Sequence, residues 1–170
     1  MSSTGSNLEK LRLHYRPSQI ILLLVGESPP PRRGFFYDAT ATEGPLSRNT
    51  RKLFEDVFET KYVDRADFLN RFRNVGCYLF DLFKERGKTV FEANRLEKET
   101  AVAELCSLIQ EAKPGTVVSV LKRTRKLVEG AVKEANVSVS YKALPYPTRN
   151  RINEYLSGLR PILSALKNVG

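Results

Sequence analysis

The sequence predicts an α/β domain of the three-layer α/β/α kind, with a four-stranded, mainly parallel central sheet. Three observations predict it. The run Ile20–Val25 is apolar throughout and shows no alternation, which suits a strand covered on both faces and so the middle of a parallel sheet. Thr116–Leu121 is a second run of this type, rich in valine. Around these runs the apolar spacing switches repeatedly between the strand and helix periods, as expected of strands joined by crossover helices.

A chain of 170 residues, 41% hydrophobic and 28% charged, is large enough to bury one core without staples and has a globular composition. Residues 1–15 read as a lead-in and 16–170 as one domain, with no internal repeat and no linker. The start, MSSTGSN, is polar and unlike a signal sequence, and Ile20–Val25 is far too short to span a bilayer. The expectation is a cytoplasmic protein with no membrane partner. Cys77 and Cys106 stand alone among apolar neighbours and read as reduced core thiols; two cysteines cannot hold an iron–sulfur cluster, and no metal or cofactor site is expected. Lysine and arginine number 28 against 19 aspartates and glutamates, a net charge of +9, which favours polyanions and nucleic acid above all.

In chain order, Met1–Asn7 has nothing to bury and is expected to be disordered. Leu8–Arg16 forms a short helix or extended lead-in, closed by Pro17. His14, the only histidine, falls here and reads as a surface or packing residue. The first strand, Ile20–Val25, stops at Gly26. Glu27, Ser28, Pro29–Pro31, Arg32, Arg33, Gly34 and the aromatic run Phe35, Phe36, Tyr37 follow. Consecutive prolines continue neither strand nor helix, so a rigid extended loop is expected at the carboxyl end of a central strand, where open α/β sheets bind ligands.

Ala39–Ser47 reads as a surface connection. Asn49 or Thr50 caps a helix with Leu53, Phe54, Val57 and Phe58 inward, and Asp64 caps another with Phe68, Leu69 and Phe72 inward, ending at Gly76. Cys77–Phe83 is the second strand, apolar except at Asp81. A carboxylate there needs a strand end, backbone donors, an ion pair or a function, because burying it unpaired is costly. Glu85–Ala93 is a loop, and Asn94–Lys113 a long helix burying Val102, Leu105, Cys106, Leu108 and Ile109.

Thr116–Leu121 is the third strand. Lys122, Arg123, Arg125 and Lys126 open the next helix, where cations oppose the helix dipole and a bound anion would relieve them; Leu127, Val128, Ala131 and Val132 face inward and Asn136 closes it. Val137–Leu144 alternates and so is expected at an edge. Arg149, Asn150 and Arg151 begin a last helix with Ile152, Tyr155, Leu156 and Leu159 inward, interrupted at Gly158 and Pro161. In a parallel sheet the segments after each strand share one rim. Arg32, Arg33, Lys122, Arg123, Arg125, Arg149 and Arg151 are therefore expected to converge beside the aromatic run, a combination suited to holding a phosphate backbone while stacking an exposed base.

Two short motifs carry a family resemblance. Gly26-Glu27-Ser28-Pro29, after a hydrophobic strand and before an aromatic cluster, resembles the first active-site motif of the uracil-DNA glycosylase superfamily, whose members carry Gly-X-Asp-Pro, Gly-X-Asn-Pro or Gly-Glu-Ala-Pro. Leu144-Pro145-Tyr146-Pro147 is similar to that family's His-Pro-Ser-Pro loop, and the element order matches from about Ile20 to Leu163. The resemblance implies a pocket for a base flipped out of DNA, which glycosylases need because the bond they cleave is inaccessible in a stacked duplex. Carried over, it makes Ser28 the water-positioning residue; Glu27, the one carboxylate of the first motif, and Asp38, after the aromatic run, are able to supply base chemistry by a different arrangement, the alternative for Glu27 being a carboxylate that accepts loop N–H bonds. Phe36 and Tyr37 become the aromatics beside the base, Asp81 the residue reading its edge, and Tyr146 part of the loop pinching the phosphate backbone.

The departures bear on chemistry. Ser28 stands for the usual Asp or Asn, Leu144 for the histidine that stabilises the departing base, and Tyr146 for the serine; serine is a poor general base and leucine donates nothing to an oxyanion. The resemblance thus leaves two readings: a base-excision glycosylase of unusual base specificity, and a non-catalytic nucleic-acid-binding protein that keeps the fold. A small-nucleotide enzyme is a weaker third, since no Gly-rich phosphate loop is present.

Overall fold

The computed structural model describes residues 3–168. Its elements run α1 (Ser3–His14), β1 (Leu22–Gly26), α2 (Pro45–Val57), α3 (Arg65–Asn74), β2 (Cys77–Asp81), α4 (Arg95–Ala112), β3 (Thr116–Ser119), a 3-10 turn (Lys122–Thr124), α5 (Arg125–Ala135), β4 (Ser140–Ala143) and α6 (Ile152–Lys167). The sheet has four strands in the order β2-β1-β3-β4, every pairing parallel, and the fold is three-layer α/β/α. β1 is central and buried along its whole length, as its unbroken apolar run requires. β4 lies at the edge and alternates between exposed and half-buried positions. α2 packs against α6, and α4 against α5.

The register aligns Gly26 with Asp81 and Ser119 with Ala143, so the carboxyl ends of all the strands share one rim. The chain beyond each strand end stays tied to its neighbour. Leu82 N–H donates to the Gly26 carbonyl at 3.0 Å, and Leu144 N–H to that of Ser119 at 2.8 Å. Asp64 caps α3 by accepting from Asp67 N–H at 2.8 Å, and Asn94 and Glu97 form a reciprocal capping box at the start of α4. Cys77 and Cys106 are free thiols. Among the described residues no helix is long and apolar enough to cross a membrane, and no group of histidines, cysteines and acids is placed to hold a metal ion.

Four elements depart from the sequence reading. The lead-in is a helix from Ser3 onward, and Met1 and Ser2, also expected to be disordered, lie outside the described residues. α1 is held because Leu8, Arg12 and Tyr15 are buried on one side of it. α2 begins at Pro45 behind Gly44, not at Asn49 or Thr50, because proline at the first helical position gives up only a donor that a helix start leaves unpaired. Thr50 instead turns inward and bonds the Tyr155 hydroxyl at 2.8 Å. The cationic segment after β3 opens with a single 3-10 turn before α5 starts at Arg125. Finally, α6 continues through Gly158 and Pro161. The turn disturbed by the proline is supported from outside, where Lys142 Nζ donates to the Gly158 carbonyl at 3.2 Å.

Candidate functional site

A cavity of about 340 Å³ opens at the carboxyl ends of the strands. Its floor is Gly26, Leu79 and Asp81, one wall is the first loop from Glu27 to Phe36, and the opposite wall is Val120, Leu121, Arg123, Tyr146 and Thr148. Gly26 is required at the floor: a Cβ there would lie 2.6 Å from Asp81 Oδ1.

Asp81 is buried, and its Oδ2 accepts from Arg12 Nη2 at 2.9 Å. Arg12 is itself only 3% exposed, bonds Glu9 at 2.7 Å and lies 5.3 Å from the Phe35 ring centroid. Burial raises the Asp81 carboxyl above the ordinary carboxylate range, against the pull of Arg12 and Lys84. Its second oxygen, Oδ1, accepts no hydrogen bond among the described residues and lies against Gly26, a residue that with Asp81 lines the cavity. Asp81 therefore has an anchored oxygen and an available one. Arg12 is a residue that sequence reasoning missed. The available signal was an arginine on the same face of α1 as Leu8 and Tyr15, together with a strand aspartate needing a cation.

Glu27 lines the cavity and is nearly buried. Its carboxylate is fully engaged: Oε1 accepts from Val90 N–H at 2.8 Å and from Arg123 Nε at 2.9 Å, and Oε2 accepts from Arg123 Nη2 in a two-pronged pair. Arg123 thus spans from the β3 side of the rim to the first loop and is held there by Glu27. Ser28 also lines the cavity. Asp38 does not. Its Oδ1 accepts from the Thr40 amide at 3.0 Å and the Thr40 hydroxyl at 2.7 Å, a turn that holds the carboxyl below its ordinary range, and it faces a neighbouring cleft.

The aromatic run is packed inward rather than displayed. Phe36 is 4% exposed and meets Tyr37, Phe68 and Phe72 at centroid distances of 5.2, 6.3 and 5.2 Å, while contributing part of its surface to the cavity wall. Tyr37 is outside the cavity. It stacks on Tyr15 at 5.8 Å, and its hydroxyl donates to the Leu79 carbonyl at 3.1 Å and accepts from the Leu79 amide at 2.6 Å. Phe35, the first residue of the aromatic run, lines the cavity beside Phe36. Arg65 braces this segment by donating to the carbonyls of Phe35, Phe36 and Ala41 at 3.1, 3.0 and 2.8 Å. Leu144 is a core residue packed against α6 at Gly158.

The cations on the shared rim divide into paired and unpaired. Lys122 and Arg151 both pair with Glu154, and Arg123 with Glu27. Arg125 and Arg149 are exposed and make no ion pair among the described residues. Arg32 and Arg33 are exposed in the cleft next to the cavity. Tyr146 is half-buried in the cavity wall, and burial raises its phenol above the usual value, partly offset by the Leu46 amide. No protein-family model matches the chain, and no curated protein matches it.

Proposed function

We propose that the cavity receives a single nucleobase turned out of a nucleic-acid strand, DNA foremost, on a scaffold of the uracil-DNA glycosylase kind. The observation that carries this reading is Asp81: one oxygen is fixed by Arg12, and the other accepts no hydrogen bond among the described residues and lies against Gly26, which with Asp81 lines a small cavity with partly apolar walls. A pocket of this kind takes a small planar ligand between apolar walls and reads its polar edge with one placed group. The position beyond the strand ends, the basic rim and the two loop motifs support the same reading.

Base recognition is the function the geometry supports best; excision is the second reading. It is favoured by one observation, that the Glu27 carboxylate is on the cavity wall beside Ser28. In that reaction Glu27 would take a proton from water, the water oxygen would bond to the sugar C1′, and the glycosidic electron pair would leave with the base. Against it, both Glu27 oxygens are already occupied by hydrogen bonds from Arg123, and Oε1 by Val90 N–H as well. The test uses single-stranded and mismatched DNAs bearing different normal and modified bases, read by fluorescence anisotropy for binding and by mass spectrometry for released base. Base-dependent binding without release is the expected result. Release would establish the glycosylase, and the absence of binding to every DNA even at low salt would overturn both readings.

A further inference from the structure

Beside the base cavity, and sharing Gly34 and Phe35 with it, is a second cleft of about 360 Å³ lined by Arg32, Arg33 and Arg86. Arg32 and Arg33 make no hydrogen bond or ion pair among the described residues, and Arg86 uses Nη1 alone, donating to the Pro30 carbonyl at 2.8 Å. The acid in the cleft wall, Asp38, is occupied by Thr40 and lies near the Arg65 charge. Three guanidinium groups against one engaged carboxylate leave the cleft strongly positive.

These arginines come from two loops that fasten to each other. The prolines of the first loop have no N–H to give, yet their carbonyls accept: Gly87 N–H donates to Pro29 at 2.8 Å, next to the Arg86 bond to Pro30. The fit is close enough that Gly87, at φ +71°, has no room for a side chain; a Cβ would lie 2.9 Å from Pro31 Cβ. The backbone positions bearing the guanidinium groups are thereby set before any ligand arrives.

We infer that this cleft is a phosphate subsite, and that the ligand is a nucleotide spanning both cavities, with its base above Asp81 and its phosphate among Arg32, Arg33 and Arg86. Guanidinium groups suit this ligand because their paired N–H donors match phosphate oxygens. The base half of the inference rests on the function proposed above; the phosphate half stands on the cleft alone. The phosphate can belong to a strand backbone or to a free nucleotide.

The test is an amide and arginine Nε–H NMR titration of the whole chain with inorganic phosphate, the common deoxynucleosides, and their 3′- and 5′-monophosphates, repeated with the R32A/R33A variant. Phosphate and monophosphates should shift Arg32, Arg33, Arg86 and their neighbours. At least one monophosphate should bind about tenfold or more tightly than its nucleoside, and R32A/R33A should erase that gain while leaving nucleoside binding unchanged. A gain that persists in the variant, or shifts confined to residues 123–126, would overturn the subsite. Phosphate shifts in the cleft, with no nucleoside or nucleotide shifting Gly26, Phe36 or Asp81, would keep the phosphate subsite and remove the base pocket. A single-stranded oligonucleotide binding more tightly than the monophosphate on the same signals assigns the phosphate to a strand; equal affinity assigns it to a free nucleotide.

Discussion

The pair between Glu27 and Arg123 decides how the cavity is held, and its removal has a calculable cost. The Glu27 side chain is 8% exposed and that of Arg123 41%. Glu27→Gln keeps the size of the side chain and an acceptor for Val90 N–H but discards the charge that the guanidinium binds. Charge-assisted hydrogen bonds contribute about 1.5–3 kcal/mol each, and the exposure of Arg123 moves the expected loss to about 1–2 kcal/mol. Arg123→Ala should cost more, about 2–3 kcal/mol, because it strands a desolvated carboxylate with one amide partner. The double variant should cost less than the sum of the two, with a coupling of about 1 kcal/mol. Urea unfolding followed by circular dichroism measures all four proteins, and the slopes should stay equal because the exposed area on unfolding is unchanged. In thermal unfolding each kcal/mol corresponds to about 2–4 °C for a chain of this length. A coupling under about 0.3 kcal/mol would mean that the pair is not made in solution. Glu27 would then be an untethered carboxylate on the cavity wall, and loss of base release in Glu27→Gln without loss of stability would make it the general base.

Phe36→Ala should destabilise by about 3–5 kcal/mol in the same assay, the cost of truncating a packed aromatic; a loss under about 1 kcal/mol would mean the ring is displayed to the ligand rather than built into the core. Gly26→Ala places a methyl group 2.6 Å from Asp81 Oδ1 and should abolish base-dependent binding while leaving the far-ultraviolet spectrum intact; binding that survives would put the ligand elsewhere. Burial raises the Asp81 carboxyl, so the native state holds a proton that the unfolded chain releases, and this residue's contribution to stability falls as pH rises from about 4 through the raised value. Wild-type stability measured against Asp81→Asn should therefore decline across that window, and a difference that grows with pH would show that the pairing with Arg12 outweighs burial.

The places of β1 and β4 were legible because burial writes itself into local pattern, whereas β2, just as buried, lies at the other edge. An unbroken apolar run belongs between other strands, as β1 does, and an alternating one belongs at an edge, as β4 does. The cap at Asp64 was legible for a similar reason, since a capping side chain reaches only three residues ahead. The state of the aromatic run was not. Whether Phe36 faces a ligand or the core depends on Phe68 and Phe72 on α3, and whether Tyr37 is available depends on the Leu79 backbone. The partners of the carboxylates were hidden in the same way. A sequence displays Glu27 and Asp38 as equal candidates for base chemistry, but one is taken by an arginine 96 positions away and the other by a threonine two positions on.

The way the first loop is fastened bears on how a ligand would be chosen. A proline run loses little backbone freedom on folding because it had little to lose, and here its carbonyls are held by Arg86 and Gly87 while Glu27 is held by Arg123 and Val90. The cavity is therefore formed without a ligand, and binding does not have to order a loop, a step that elsewhere takes a large part of the available affinity. On the proposed base-binding reading, with no closure to discriminate between ligands, selection falls to the edge presented to Asp81. As a carboxylate, its available oxygen accepts only; as the neutral acid that burial favours, the side chain can also donate. If the cavity holds a base as proposed, the choice between base edges follows the protonation of Asp81, and the preference among bases should change with pH through the same window in which Asp81 alters stability.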